Sequence, residues 1–176
     1  CLDNGAMGVV VPHIDNADEA RDVVRAFRYP PLGERSWGGP PAQYAFQVSD
    51  TAAAQKELNE QIMVTVMIET PEAVANADAI AAVPGVDCLM IGTSDLTASM
   101  GIAGQIGHPD VRAAYAKVAA ACKAHGKVMG MGGVYDEKNA SEYIGLGARF
   151  LLSGSDHAFL MAGGGARAKF LRGLQG

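Results

Sequence analysis

The chain has 176 residues, of which 49% are hydrophobic and 19% charged, with a formal net charge of -5. That length favours one domain with a real core. The acidic balance, with Lys and Arg scattered singly, excludes a nucleic-acid partner read through a basic stripe. No apolar run is long enough to span a bilayer and no signal peptide opens the chain, so no membrane partner is expected. Cys1, Cys88 and Cys122 are odd in number and irregularly spaced. They fit neither a disulfide framework nor a zinc site, and a reducing cytoplasm is the expected location.

The chain opens on Cys1 rather than Met, and Cys-Leu-Asp-Asn-Gly has the form of a last helical turn closed by Gly5. This start predicts a segment of a longer protein. Met7 to Ile14 is a short β-branched run and predicts a strand. Asn16 is an N-cap for the helix that follows, with Asp18 and Glu19 in its first turn and Tyr29-Pro30-Pro31 as its stop. Leu32 to Asp50 is a long loop rich in Gly and Pro, of the kind that is functional or disordered. Arg35 and Trp37 lie in it, within reach of a substrate or a neighbouring subunit. A helix over Thr51 to Glu60 leads into a strand over Met63 to Ile68.

Thr70 with Pro71 and Glu72 opens a helix that Pro84-Gly85 ends, and Cys88 to Gly92 is the next strand. His108-Pro109-Asp110 starts a helix that runs to His125 and closes at Gly126. His108 marks that start, and His125 is a favourable cation at its end. Lys127 to Met131 predicts a strand, Asp136 to Leu146 a helix, Arg149 to Ser153 a strand and Ala158 to Leu174 a helix. Gly163-Gly164-Gly165 could bend the last of these. Five strands alternate with helices and no hairpin signal appears, which implies an α/β fold with a parallel sheet, open or closed.

Two acids stand just past strands. Glu69 follows Val-Thr-Val-Met-Ile, and Asp95 follows Cys-Leu-Met-Ile-Gly-Thr-Ser. The carboxyl ends of parallel strands are where such folds place their chemistry. Alternation puts Thr65, Met67 and Glu69 on one face and Val64, Val66 and Ile68 on the other, which suits helix packing. A lone Glu at a strand end is as often solvated or capping. Thr93, Ser94, Asp95 and Thr97 are each good N-caps, and a lone Asp here is most often one. The two acids together, with Gly92 allowing close approach, favour a site for one hard divalent cation. His13, after Pro12 at a strand end, reads first as structural and second as facing the site. His157 reads as structural.

The segments Met-Ile-Glu-Thr-Pro-Glu-Ala, Gly85-Val-Asp-Cys-Leu-Met-Ile-Gly-Thr-Ser-Asp-Leu-Thr-Ala-Ser-Met-Gly and His108-Pro109-Asp110-Val111 closely resemble the class II pyruvate aldolases of the HpcH/HpaI family. That family includes 4-hydroxy-2-oxoheptanedioate aldolase and 2-dehydro-3-deoxyglucarate aldolase. The likeness continues through Val9-Val-Val-Pro, Asn16-Ala-Asp-Glu-Ala, Arg28-Tyr-Pro-Pro-Leu-Gly-Glu-Arg, His125-Gly-Lys and Gly147-Ala-Arg-Phe-Leu-Leu-Ser-Gly-Ser-Asp. It covers nearly the whole chain in order and spacing.

The resemblance implies a (β/α)8 TIM barrel of the phosphoenolpyruvate/pyruvate superfamily. Residues 1–176 would be a single partial barrel domain supplying about strands 4 to 8. It implies that Glu69 and Asp95 bind a divalent metal (Mg2+, Mn2+ or Co2+), and that Ser94 and Asp95 receive the carboxylate of a 2-oxo acid through backbone N–H groups. It also implies that an aldehyde is the second substrate, and that the last helix is exchanged within a homo-hexamer. Asp3, in the Leu-Asp-x-Gly stretch, maps onto the acid that raises the basicity of the family's base His, although by itself it reads as a polar group at a helix end. That His and an enolate-stabilising Arg belong to upstream strands that this sequence does not contain. Met67 stands where many relatives have a substrate-contacting Gln, and Thr93-Ser94 where they have Pro-Ala. The expected function is a metal-dependent aldolase acting through a pyruvate-type enolate. The alternatives are a citrate lyase β-like acyl-CoA lyase and a non-catalytic fragment acting in assembly.

Overall fold

The computed structural model describes residues 1–174. Five parallel strands, β1 (Gly8–Val11), β2 (Met63–Ile68), β3 (Cys88–Gly92), β4 (Val128–Gly132) and β5 (Ala148–Leu151), pair in sequence order. Between them run α1 (Ala17–Phe27), α2 (Thr51–Gln61), α3 (Pro71–Ala75), α4 (Ala77–Ala81), α5 (Thr93–Ser99), α6 (Pro109–His125) and α7 (Glu137–Leu146), and α8 (Asp156–Gly173) follows. Each strand pairs with the next after a helical crossover, which fits the expected α/β class.

Alternation along the strands divides the molecule. Val64, Val66 and Ile68 of β2 and Leu89 and Ile91 of β3 join the buried helix-side core with Val24, Ile80, Val111 and Val118. Thr65, Met67, Cys88 and Met90 take the other face, where Thr65 pairs in register with Cys88 and Met67 with Met90. Gly130 of β4 is the in-register neighbour of Met90, and a Cβ there would stand 3.0 Å from the Met90 Cβ. Glycine on β4 therefore makes room for the larger side chains of β3.

The capping signals act as expected. The Asn16 side chain accepts from the N–H groups of Asp18 and Glu19, Thr70 accepts from Ala73, and Gly126 closes α6 at φ +65°. The His108 ring nitrogen caps α6 by accepting from Asp110 N–H, and His125 pairs with Asp78 of α4 at 2.9 Å. Several expectations need correction. The helix from Thr70 breaks at Asn76 into α3 and α4, the first strand is confined to Gly8–Val11, and α5 begins directly at the end of β3. Gly163, Gly164 and Gly165 lie inside a continuous α8. The Leu32–Asp50 loop contains a short turn of 3-10 helix over Ala42–Tyr44.

Arg35 turns inward, and Trp37 packs partly buried against the core. The Arg35 guanidinium, almost wholly buried, bonds Asp3 Oδ1 at 2.6 Å and lies 4.5 Å over the Tyr29 ring, which Trp37 meets at 5.6 Å. Arg28 beside them bonds Ile62 O at 2.6 Å, Gly85 O at 3.3 Å and Asp87 at 3.2 Å. It thereby ties together the entries to β2 and β3.

Candidate active site

Glu69 leaves β2 as a buried carboxylate, 3% exposed. Burying an ionised carboxylate requires partners, and the two oxygens find different surroundings. Oε2 accepts the His13 backbone N–H at 2.9 Å and lies 3.4 Å from His13 Nδ1. Oε1 lies against Gly92, where a Cβ would stand 2.5 Å from it. His13 makes its contact from φ +56°, a left-handed conformation uncommon for a residue with a side chain. Its ring is 71% exposed, so the structural role belongs to its backbone.

β3 runs into α5 without a connecting loop, so Ser94 and Asp95 stand in the first turn of that helix, at the carboxyl end of the sheet. Thr93 anchors the turn from behind: its hydroxyl shares a 2.7 Å hydrogen bond with Tyr115 on α6. The Tyr115 ring is stacked on Tyr143 of α7, centroids 3.8 Å apart. Burial drives the Tyr115 phenol well above its ordinary range, so it serves as a neutral hydrogen-bonding group. In front of the turn, a Cβ at Gly133 would lie 2.8 Å from Ser94 Oγ and 3.3 Å from Ser94 N. The glycine leaves that N–H uncovered.

A cleft of about 180 Å³ opens here, lined by Met67, Thr93, Ser94, Asp95, Gly133 and Tyr135 among others. The structure thus brings Met67, Ser94 and Asp95 together, with Glu69 bordering them at Gly92. Asp3 lies apart. It precedes β1, on the amino-terminal side of the sheet, and is held by Arg35. Two residues of this region were not expected from the sequence. Tyr135 lines the cleft, and only its position just past a Gly-Gly strand end hinted at that. Gly133 was equally silent.

The donor chemistry suits a hard divalent cation: two carboxylates, no thiolate in the cleft lining, and a glycine giving Glu69 Oε1 its room. Among the described residues, no group of three or more His, Cys, Asp or Glu side chains gathers as a complete metal cage. Two acids would therefore leave coordination positions to water and a ligand.

Parallel strands, an acid beyond each of β2 and β3, and a glycine-lined cleft at their carboxyl ends define an α/β protein, a class whose ligands bind at that end. The chain belongs to the HpcH/HpaI aldolase/citrate lyase family, whose model matches residues 1–162. It is 40% identical over 173 residues to 4-hydroxy-4-methyl-2-oxoglutarate aldolase tasA of Hapsidospora irregularis, covering 92% of this chain and 61% of that protein. It is 41% identical over 160 residues to the hydroxypyruvate/pyruvate aldolase of Pseudomonas aeruginosa, covering 91% and 59%. The crystal structure of an HpcH/HpaI aldolase from Desulfitobacterium hafniense DCB-2 superposes with a TM-score of 0.86 at 35% identity, over 96% of this chain and 64% of that one. The chain spans about three-fifths of the length of the curated relatives it matches.

Proposed function

We propose that this chain carries the metal-binding and 2-oxo-acid-binding end of a class II aldolase, a carbon–carbon lyase that forms or cleaves its bond through a pyruvate-type enolate. The observation that carries the reading is the meeting of Glu69 Oε1 with Gly92 beside the cleft that holds Ser94 and Asp95. Glu69 and Asp95 would hold Mg2+, Mn2+ or Co2+. When bound, such a cation supplies Lewis acidity toward the 2-oxo group. His13 N–H fixes one oxygen of Glu69 and so orients the other. The backbone N–H groups of Ser94 and Asp95 receive the substrate carboxylate, with Gly133 leaving Ser94 N open to it. Met67 packs against the donor without offering it a hydrogen bond.

In the aldol direction, a proton leaves the pyruvyl C3 and the resulting enolate attacks the aldehyde carbon, whose oxygen takes up a proton. The five strands would be an arc of an eight-stranded barrel, a reading supported by their parallel, sequential order and by the likeness to a solved family member of which this chain covers 64%. Asp3, held by Arg35 ahead of β1, would act only through the family's base His and not by touching this cleft. The exposed α8 would pack on such a copy, within a hexamer. The unpaired thiols of Cys88 and Cys122 support a reducing, cytoplasmic setting.

The test measures pyruvate release from 4-hydroxy-2-oxo acids by the full-length natural protein, with and without a chelator. Activity should vanish on chelation and return with Mg2+, Mn2+ or Co2+. Glu69→Ala and Asp95→Ala should each lose both bound metal and turnover. Full activity and metal content in either variant would remove that residue from the site. Cleavage of acyl-CoA thioesters instead would favour the citrate lyase-like alternative within the same family.

A further inference from the structure

The short helix α5 carries Ser94 and Asp95 in its first turn, yet little in its own sequence would hold that turn still. Gly92, its N-cap, has no side chain to offer the first N–H groups. Thr93, Ser94, Asp95 and Thr97 all favour caps over helix interiors. Two tyrosines of neighbouring helices hold the turn from outside. Tyr115 of α6 shares a 2.7 Å hydrogen bond with the Thr93 hydroxyl, and both residues are fully buried. Tyr143 of α7 donates to Ile106 O at 2.5 Å, in the segment that leaves α5. The two rings are stacked, with centroids 3.8 Å apart and planes 3° from parallel. Thr97 ties that segment back to the helix: its hydroxyl accepts from Gly104 N–H at 3.2 Å, and its carbonyl accepts from Ile102 N–H at 2.9 Å. One stacked pair thus grips α5 at its start and just beyond its end.

We propose that Tyr115 is a positioning residue for ligand binding: through Thr93 it holds the turn that presents Asp95 and the Ser94 N–H to the cleft. The proposal rests on the reading of that cleft as the metal and 2-oxo-acid site. Packing alone needs no hydroxyl at either place. Phe at 115 would fill the same space in the stack, and Val at 93 has nearly the shape of Thr. What the hydroxyls add is direction, because a buried hydroxyl without a partner is costly and each satisfies the other. On the opposite side the Gly133 backbone comes so close that a Cβ there would stand 2.8 Å from Ser94 Oγ. The turn is therefore set between Tyr115 behind and Gly133 in front. Tyr115 is fully buried and does not line the cleft, so it acts through Thr93. Ligation of a hard cation depends on where the carboxylate oxygens sit. A turn released at Thr93 would lose affinity with Asp95 still in place.

The experiment uses the full-length natural protein and compares Tyr115→Phe, Thr93→Val, the two combined, and Thr93→Ser. It reads Mn2+ affinity by electron paramagnetic resonance, KM and kcat for pyruvate release from a 4-hydroxy-2-oxo acid, and the midpoint of urea unfolding. Each single apolar variant leaves one buried hydroxyl unpaired and should unfold at lower urea, whereas the double variant removes both and should regain most of the midpoint. Mn2+ affinity should fall about five-fold in each single variant, roughly the worth of one hydrogen bond. It should stay low in the double variant. KM should rise by a similar factor with kcat nearly unchanged, the pattern of binding lost equally from ground and transition states. Thr93→Ser keeps the hydroxyl and should keep the parent's Mn2+ affinity and KM. If affinity and KM recover together with the urea midpoint in the double variant, the hydroxyl pair serves stability alone and the proposal is overturned. Parental affinity and KM in every variant overturn it equally. Asp95→Ala is the control: parental Mn2+ binding there removes the reading of the cleft, and this proposal with it.

Discussion

At Gly92 the space beside Glu69 is already full: a Cβ would meet Oε1 at 2.5 Å and the Met67 Cε at 2.8 Å. Met67 is flexible enough to yield, but Glu69 is held at Oε2 by His13 N–H. Gly92→Ala should therefore rotate the carboxylate away from the cleft. The expected result is metal affinity weakened ten-fold or more, with a stability loss of about 1–3 kcal/mol for the overpacking. Titration of Mn2+ followed by electron paramagnetic resonance checks it, and unchanged affinity would show that Oε1 does not face the metal. The thiols give a second prediction. Burial first, then the nearby Cys122, pushes the Cys88 thiol up to about 12, against a lowering by the Thr65 hydroxyl. Burial likewise raises Cys122 to about 11. Both folded values lie above the ordinary 9.0, so the stability these neutral thiols confer is complete below that pH and is lost as pH rises toward 11. Alkylation of the native chain at pH 8 should mark the exposed Cys1 alone, and Cys88 and Cys122 only after unfolding. The positions of Glu69 and Asp95 beyond β2 and β3 were legible in the sequence because strand alternation and a Gly-containing turn place them. His13 was not, because its contact is made by a backbone N–H that residue type does not reveal.

Elements show the same division between local and long-range information. β2 and β3 were legible to the residue, since each is a buried apolar run bounded by caps and a Pro-Gly turn. α5 was not. Thr93, Ser94, Asp95 and Thr97 are weak helix formers that each look like a cap, and what makes them helical is tertiary. Leu96 is fully buried, Thr93 bonds Tyr115, and the Thr97 hydroxyl both donates to Ser94 O and accepts from Gly104 N. Arg28 is another case. Its Arg-Tyr-Pro-Pro motif carries part of the family resemblance, whereas its work is to bind two carbonyls and Asp87 where β2 and β3 begin. Arg28→Met should leave Ile62 O and Gly85 O without their donor and cost about 3 kcal/mol in urea unfolding. Arg28→Lys should restore only part, because a single ammonium cannot span three acceptors as a guanidinium fork does. A loss below about 0.5 kcal/mol in the Met variant would mean that water replaces the guanidinium freely.

At the scale of the whole sheet, strand order follows chain order, so among the described residues β1 and β5 each keep one unpaired edge. The sequence pattern predicted the parallel sheet, but it held no signal for how those edges are met. α8 raises the same question for a helix. None of its residues is buried, and Leu160 and Met161 are 75% and 74% exposed, with Phe170 and Leu171 about half exposed. Its apolar side chains add nothing to the core of their own chain. Buried in an interface, each would contribute roughly 1.5–3 kcal/mol. A second copy of the chain is the partner that the proposed assembly offers them. Leu160→Glu combined with Phe170→Glu tests this without disturbing the cleft. Glutamate is a good helix former, so α8 itself should persist. Static light scattering after size-exclusion chromatography should show a smaller assembly for the double variant. The melting temperature of the dissociated chain should stay within about 2–4 °C of the parent, because exposed sites rarely shift stability by more than about 0.5 kcal/mol. An unchanged assembly would mean that α8 is solvated in the native protein. A collapse in melting temperature of a still-monomeric chain would mean that the helix folds back on its own sheet.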